Sequence, residues 1–229
     1  MEYPHNRPYT ADDLVRIITL LRDLVNGCPW DKVQTHTSIR MNFLEEAYEA
    51  VDALDLDDPV LMCEELGDVL MQVAFHTCME QETGRFTWEQ VCDGVCQKLI
   101  ERHPNIFGTQ PGYEGITDWD ALKNKEKGRR TLADDLESVP RAMPALMRAA
   151  KLQKRAARHG AALQGADAAA LADAAENLQT AQPASAQAEQ AVGELLFAAA
   201  NLARQAGVDP EQALQKANEA FCTATGPVA

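Results

Sequence analysis

The amino-acid sequence predicts an all-α protein made of two tandem helical repeats, each a domain of the four-helix-bundle type. Apolar residues recur at three- and four-residue spacing along most of the chain, which is the periodicity of amphipathic helices. Short polar breaks with proline, glycine or aspartate separate these segments, and such tight connections favour antiparallel packing of neighbouring helices. The later part repeats the earlier pattern with fewer charged side chains. We therefore expect one repeat over residues 1–115, a connector over 116–140 and a second, degenerate repeat over 141–229.

Composition and charge narrow the classes of function. Hydrophobic residues make up 46% of the 229 residues, enough for a real core, and the net charge is −14. Such a charge argues against nucleic-acid or anionic-membrane partners recognised by bulk electrostatics. The chain opens with no signal peptide and contains no apolar run of about 18 residues. The six cysteines include no Cys-x-x-Cys pair, which indicates reduced thiols in a cytoplasmic protein.

The first helix is predicted to begin at Thr10, whose hydroxyl would cap it, and to end at Asn26 and Gly27. Its apolar stripe comprises Leu14, Ile17, Ile18, Leu21 and Val25. The next segment, 28–31, is predicted to be a loop. Its Trp30 either fills a gap between helices or stacks on a base, and the residue types leave both interpretations open.

Two acidic pairs stand on the next two predicted helices. Glu46 and Glu49 are three residues apart, and so are Glu65 and Asp68. Residues at this spacing share a helix face. The polar break at 55–59 ends the first of these helices and caps the second, since proline suits a first helical turn. A hairpin of the two helices would bring the four carboxylates together.

Four clustered carboxylates predict a metal site. Each like-charge contact at about 4 Å costs on the order of 1 kcal/mol in water, so the cluster must take up protons or bind cations. Oxygen-only ligands favour Mg²⁺, with Mn²⁺ also possible, and magnesium often completes its shell with substrate phosphates. A solvated acidic face is the alternative interpretation. The apolar run after Asp68 predicts that the second helix is buried, and His76 is expected to be a core or rim histidine.

The fourth helix is predicted to begin at Thr87 as N-cap, with Gln90 completing a capping box. Lys98 and Arg102 lie one turn apart near its C-terminal end. A solvated basic edge is the default expectation there, because cations favour helix C-termini. A further short charged helix is predicted over 120–130.

Three motifs, in this order, resemble the MazG family of all-α nucleoside triphosphate pyrophosphohydrolases. The segment from Asn26 to Thr35 resembles its entry motif, and the two acidic pairs separated by residues 50–64 resemble its signature. The segment from Lys98 to Gly108 resembles its exit motif. The regions 119–127 and 135–154 also resemble the connector of members with two repeats.

This resemblance implies an enzyme that converts a nucleoside triphosphate and water to the monophosphate and pyrophosphate. On this hypothesis the four paired carboxylates hold one to three Mg²⁺ ions that activate a water, and Glu45 or Glu49 accepts its proton. The family places Lys98 and Arg102 on the substrate phosphates and Trp30 at the mouth of the site. Related enzymes assemble as dimers, so a homodimer is expected. The rivals are a hydrolase for one particular nucleotide, and a catalytically silent scaffold or stress-regulatory partner.

The second half is interpreted as a repeat that keeps the fold and has lost its metal site. On our alignment Glu194 replaces Asp68 and Ala191 replaces Glu65. Alanines also stand where the first half has its two cations. Ala220 and Ala224 stand in the positions of Lys98 and Arg102. The position of the first acidic pair falls in a segment that contains Asp173 and Glu176. Activity is therefore expected in the first repeat.

Overall fold

The structure is a computed structural model that describes residues 2–5, 7–104, 106–108, 122, 126–128 and 131–226. In these ranges the regular elements are helices without any strand, which confirms the predicted all-α class. A short 3-10 helix covers Asp31–Val33. The α-helices are α1 (Ala11–Leu21), α2 (Arg40–Asp55), α3 (Pro59–Glu82), α4 (Trp88–Arg102), α5 (Leu132–Glu137), α6 (Ala145–Arg158), α7 (Ala168–Thr180), α8 (Ala186–Gln205) and α9 (Pro210–Thr225).

The chain divides into two compact units, Met1–Ile116 and Thr117–Ala229, called unit 1 and unit 2 below. In unit 1 the longest helix, α3, packs against α1, α2 and α4. In unit 2 the longest helix, α8, packs against α6, α7 and α9. Among the described helices, the longest one of each unit is thus the second-to-last and packs against three others. The tandem repeat itself stays a prediction, as does the charged helix over 120–130, most of which lies outside the described residues.

The core of unit 1 surrounds the second half of α3. Its buried members are Ile18, Ile39, Ala74, Phe75, Cys78, Met79 and Trp88. The first half of α3 is different, because Leu66 is 51% and Leu70 40% exposed. The prediction that the whole helix is buried is therefore wrong for its first half within one chain. The apolar residues of α3 predict that this helix packs against other helices. Within one chain, core residues surround only its second half.

Local capping signals set several helix ends as predicted. Thr10 forms a capping box with Asp13, and Thr87 forms one with Gln90. The end of α1 was predicted too late, because the helix stops at Leu21 and Val25 is 82% exposed. The carboxylate of Asp23 accepts the N–H groups of Val25 at 3.1 Å and Asn26 at 2.7 Å. This side chain offers the backbone an alternative to helical hydrogen bonds.

Among the described residues, no helix has both the length and the apolar character needed to cross a membrane. All six cysteines are free thiols, and Cys78 is the buried one among them.

Candidate metal centre

The hairpin of α2 and α3 is formed by a three-residue break. The carboxylate of Asp58 accepts the N–H groups of Val60 at 2.9 Å and Leu61 at 3.2 Å, so it caps α3. Pro59 occupies the first turn, where a missing N–H costs nothing. Because α2 and α3 pack together across so short a connection, their acidic faces lie side by side.

Three carboxylates meet on this hairpin. Glu46, Glu49 and Glu65 each offer one oxygen atom, and these atoms all lie within 4.8 Å of one another. Two of them come from consecutive turns of α2 and one from α3. Glu46 and Glu65 are half-buried, while Glu49 is exposed. Within the described ranges this is the one group of three or more His, Cys, Asp or Glu side chains with such spacing.

The electrostatics of the centre disfavour three free anions. Burial raises the pKa of Glu46, and the charges of Asp68, Glu49 and Glu45 raise it further, against a hydrogen bond from Gln72 that lowers it. Burial is also the largest cause of the raised pKa of Glu65, followed by the charges of Asp68, Glu64 and Glu46. A divalent cation would relieve this repulsion, since it favours the charged form of every carboxylate around it.

Asp68 lies beside the three-carboxylate group and outside it. Its charge acts on both Glu46 and Glu65, so the fourth predicted ligand is close, although its oxygens do not meet the spacing that the other three share. Glu45 is exposed and lies near enough to Glu46 to raise its pKa. The two side chains therefore flank the centre, Asp68 from α3 and Glu45 from α2.

The two predicted cations lie on α4. Lys98 is exposed and has no hydrogen bond or ion pair in the described part of the chain, and Arg102 is half-buried at the last residue of the helix. Only five residues separate α3 from α4, and the two helices are in contact. So short a connection favours an antiparallel course. On such a course the end of α4 would lie toward the end of α3 that carries Glu65 and Asp68, and the contact of the two cations with the substrate stays a prediction.

Trp30 lies in the loop before the 3-10 helix and is 56% exposed. The interpretation that it fills a gap between helices is therefore wrong, and stacking on a base stays a prediction. Arg22 binds this part of the chain through its Nη1, which donates to the carbonyls of Asp31 at 2.8 Å and Gln34 at 3.2 Å. Gln34 in turn donates its Nε2–H to the Trp30 carbonyl at 2.9 Å.

Two networks that the sequence did not predict anchor this loop to α3. Arg22 is buried and binds Glu82 with both Nε and Nη2, the latter at 2.8 Å. His36 lies 2.7 Å from His76 through their Nδ1 atoms, and its Nε2 lies 2.6 Å from Glu80. These partners are 60, 40 and 44 positions apart in the chain, so no local signal could reveal them. The expectation that His76 is a core or rim histidine is confirmed, because the side chain is half-buried and its Nδ1 contacts His36.

In unit 2 the predicted counterpart of this hairpin consists of α7 and α8, which pack against each other. Asp173, Asn177 and Glu194 line one side of a cavity of about 710 Å³ there. Ala191, which our alignment pairs with Glu65, is buried. Glu194 accepts a hydrogen bond from Gln190 on its own helix at 2.8 Å. The loss of a metal site from this unit stays a prediction.

Comparison with known proteins adds to this geometry. The family model of the MazG nucleotide pyrophosphohydrolase domain matches residues 34–107, which include every carboxylate of the centre and both cations of α4. A nucleoside triphosphate pyrophosphohydrolase of Escherichia coli K12 is 41% identical over 219 residues, covering 92% of this chain and 83% of that protein. The nucleoside triphosphate pyrophosphohydrolase/pyrophosphatase MazG of Thermotoga maritima is 38% identical over 212 residues, covering 92% and 82%. A nucleoside triphosphate pyrophosphohydrolase of Mycobacterium tuberculosis is 35% identical over 154 residues, covering 66% and 46%.

Proposed function

The chain belongs to the MazG family of nucleoside triphosphate pyrophosphohydrolases, and we propose that its reaction is Mg²⁺-dependent and takes place at the carboxylates of unit 1. Substrates would be ribo- or deoxyribonucleoside triphosphates, and the products the monophosphate and pyrophosphate. The observation that carries the proposal is the meeting of Glu46, Glu49 and Glu65 oxygens within 4.8 Å on one hairpin. Carboxylates crowded in this way suit a hard divalent cation.

The residues present fit such an ion. Glu46, Glu49 and Glu65 would hold it, with Asp68 as a fourth oxygen ligand from the edge of the group, and Mn²⁺ could replace Mg²⁺. Burial, and after it the charges of the neighbouring carboxylates, raise the pKa values of Glu46 and Glu65, and a bound cation would favour their charged forms. When bound, a divalent ion of this kind neutralises phosphate oxygens and lowers the pKa of a nearby water.

The protein's own groups would then move the proton and hold the substrate. Glu45 or Glu49 accepts the proton of the attacking water on a carboxylate oxygen. Lys98 and Arg102 bind the phosphate oxygens that leave as pyrophosphate, because two positive charges offset the charge that develops there. The exposed indole of Trp30 stacks on the base.

A homodimer is part of the proposal. Large apolar side chains on three helices of unit 1 are exposed in the single chain, and a second copy would bury them. They are Tyr48, Val51 and Leu54 on α2, Leu66 and Leu70 on α3, and Val95, Leu99 and Ile100 on α4. The strongly negative net charge argues against a nucleic-acid partner, because nucleic acid is also negatively charged. The free thiols suit the cytoplasm.

Product analysis tests the proposal. The protein is incubated with a panel of nucleoside triphosphates in Mg²⁺ and, separately, in EDTA. We expect monophosphate and pyrophosphate with the metal only, and the order of rates gives the base and sugar preference. Diphosphate and orthophosphate would contradict the bond assignment. No turnover, together with no shift of melting temperature by Mg²⁺, would favour the catalytically silent scaffold.

A further inference from the structure

Unit 2 contains a second cavity, of about 530 Å³, away from the hairpin of α7 and α8. It lies between α6, the end of α8 and the segment that leads into α9. Its walls carry three cationic side chains, Lys151, Lys154 and Arg204, and an apolar side made of Met143, Met147 and Val208. The Glu46 centre shares no residue with this cavity.

The charges of the two lysines are not neutralised by any residue in the part of the chain that the structure describes. Lys151 and Lys154 are three residues apart on α6, so both reach the same side of that helix. In the described ranges neither lysine has a hydrogen bond or an ion pair. In a chain whose net charge is −14, paired lysines without a carboxylate partner mark a local reversal of the electrostatic potential.

The third cation is held in place by a neutral group. Arg204 donates from Nε at 3.0 Å and from Nη2 at 2.8 Å to the side-chain oxygen of Asn201. Asn201 is itself buried and donates to the carbonyl of Ala166 at 2.7 Å. The guanidinium is therefore oriented before a ligand arrives, and its positive charge is not cancelled by its partner.

The one carboxylate among the lining residues is committed elsewhere. Asp209 is the N-cap of α9, and its Oδ1 accepts the N–H of Gln212 at 3.0 Å. The cavity thus also borders the N-terminal end of a 16-residue helix, which adds partial positive charge. Every fixed charge other than the capping carboxylate attracts an anion.

The apolar side of the cavity favours a ligand that carries an organic group as well as a negative charge. Met143 and Met147 can adapt to a flat organic group, because methionine is unbranched and polarisable. We propose that this cavity binds a phosphorylated organic molecule of the nucleotide class, with its phosphates on Lys151, Lys154 and Arg204 and its base against the two methionines. Binding needs no metal ion, and the site is independent of the proposed hydrolysis in unit 1.

Calorimetric titration of the full chain in EDTA tests the proposal. The probes are adenosine monophosphate, inorganic pyrophosphate and inorganic phosphate, and EDTA silences any metal-dependent binding in unit 1. We expect the monophosphate to bind, more weakly as salt rises, and phosphate to bind much less well. The same binding is expected in a Glu49→Gln background, which separates this site from the carboxylate centre.

Matched variants assign the site. Lys154→Gln should weaken binding of the monophosphate roughly tenfold, since a charge-assisted contact is lost. Lys216→Gln removes another exposed lysine of unit 2, one that does not line the cavity, and should leave binding unchanged. Met147→Gln should weaken the monophosphate more than pyrophosphate. Circular dichroism and melting temperature confirm that each variant is folded.

Three outcomes would overturn the proposal. One is the absence of binding by any probe at millimolar concentration. Another is equal loss of affinity in Lys154→Gln and Lys216→Gln, because the effect would then be one of net charge. The third is equal affinity for pyrophosphate and the monophosphate, together with no effect of Met147→Gln. That result would mean that the cavity binds the phosphates alone and does not recognise the base.

Discussion

Gln72 donates its Nε2–H to the Oε1 of Glu46 over 3.3 Å, and this contact ties the buried part of α3 to the carboxylate centre on α2. Gln72 is itself buried, so its amide holds the Glu46 carboxylate in one orientation. The contact also lowers the pKa of Glu46 against the effect of burial.

Gln72→Met removes this donor and keeps the length of the side chain. We expect Mg²⁺ affinity to fall about tenfold, as is usual when a partner that orients a metal ligand is lost. Calorimetric titration with Mg²⁺ measures the change. Gln97→Met, an exposed glutamine on α4, is the control. Unchanged affinity in Gln72→Met would mean that Glu46 is not a ligand or is oriented by other groups.

Glu49→Gln and Asp68→Ala should abolish hydrolysis and leave the helical fold intact. Glu49→Gln replaces a charged ligand by a neutral amide, and Asp68→Ala removes a ligand altogether. A side chain that is exposed or half-buried contributes little to packing. Turnover is measured by pyrophosphate release, and folding by circular dichroism.

Glu64→Gln is the matched control for these two variants, because Glu64 is the exposed neighbour of Glu65 and lies outside the group of three. Retained turnover in either Glu49→Gln or Asp68→Ala would remove the assignment of that residue. Loss of the Mg²⁺-induced rise in melting temperature should accompany the loss of activity.

Arg22→Met should lower the free energy of unfolding by about 2–4 kcal/mol. The substitution leaves two carbonyls of the Trp30 loop without their donor and separates Glu82 from its partner. Urea denaturation measures this change. Glu82→Gln keeps one hydrogen-bond acceptor on a side chain that is 45% exposed, so it should cost less than Arg22→Met. A larger loss of stability in Glu82→Gln than in Arg22→Met would contradict this view, in which the contacts of Arg22 with the loop carbonyls contribute more than its ion pair.

His76 should make stability depend on pH. Burial, and then the charge of His36, lower its pKa below the usual value near 6.5. Well above pH 6.5 the ring is neutral in both the folded and the unfolded chain, so it gives the free energy of unfolding no pH dependence. As pH falls through about 6.5, the unfolded chain takes up a proton that the folded chain binds only at lower pH, so the free energy of unfolding falls. This group contributes at most about 1.4 kcal/mol per pH unit.

Urea denaturation between pH 7.5 and 5.5 tests this expectation in the wild type and in His76→Gln. We expect a smaller loss of stability on acidification in the variant. Glu80 on α3 contacts His36, and Arg85 binds Glu80 at 2.7 Å, so both charges lie close to the pair. Equal slopes for the two proteins would mean that other groups carry the pH dependence.

Leu70→Glu should convert the proposed dimer to a monomer. Leu70 is 40% exposed in the single chain beside Leu66, and a charge there would oppose burial against a second copy. Light scattering after size-exclusion chromatography gives the mass. Leu24→Glu, at a residue that is 80% exposed in the turn after α1 and outside the proposed apolar face, should leave the mass unchanged. A wild-type monomer would contradict the dimer directly.

Much of the fold follows from signals that are local in the chain. The caps at Thr10 and Thr87 and the Asp58–Pro59 break act within a few residues, and each sets a helix end as predicted. The resemblance to the MazG family, read from three motifs, is confirmed by the family model and by relatives that span most of the chain. The end of α1 was missed because the turn formed by Asp23 competes with a periodic apolar pattern.

The sequence by itself determined the helices and the pairing of Glu46 with Glu49 on one face, because backbone hydrogen bonds and the helical repeat are local. Only the tertiary structure decided that Glu65 joins this pair while Asp68 stands at its edge. The rotation of α2 and α3 about their own axes sets that choice. It depends on packing and on contacts between residues far apart in the chain, such as Gln72 on α3 with Glu46 on α2.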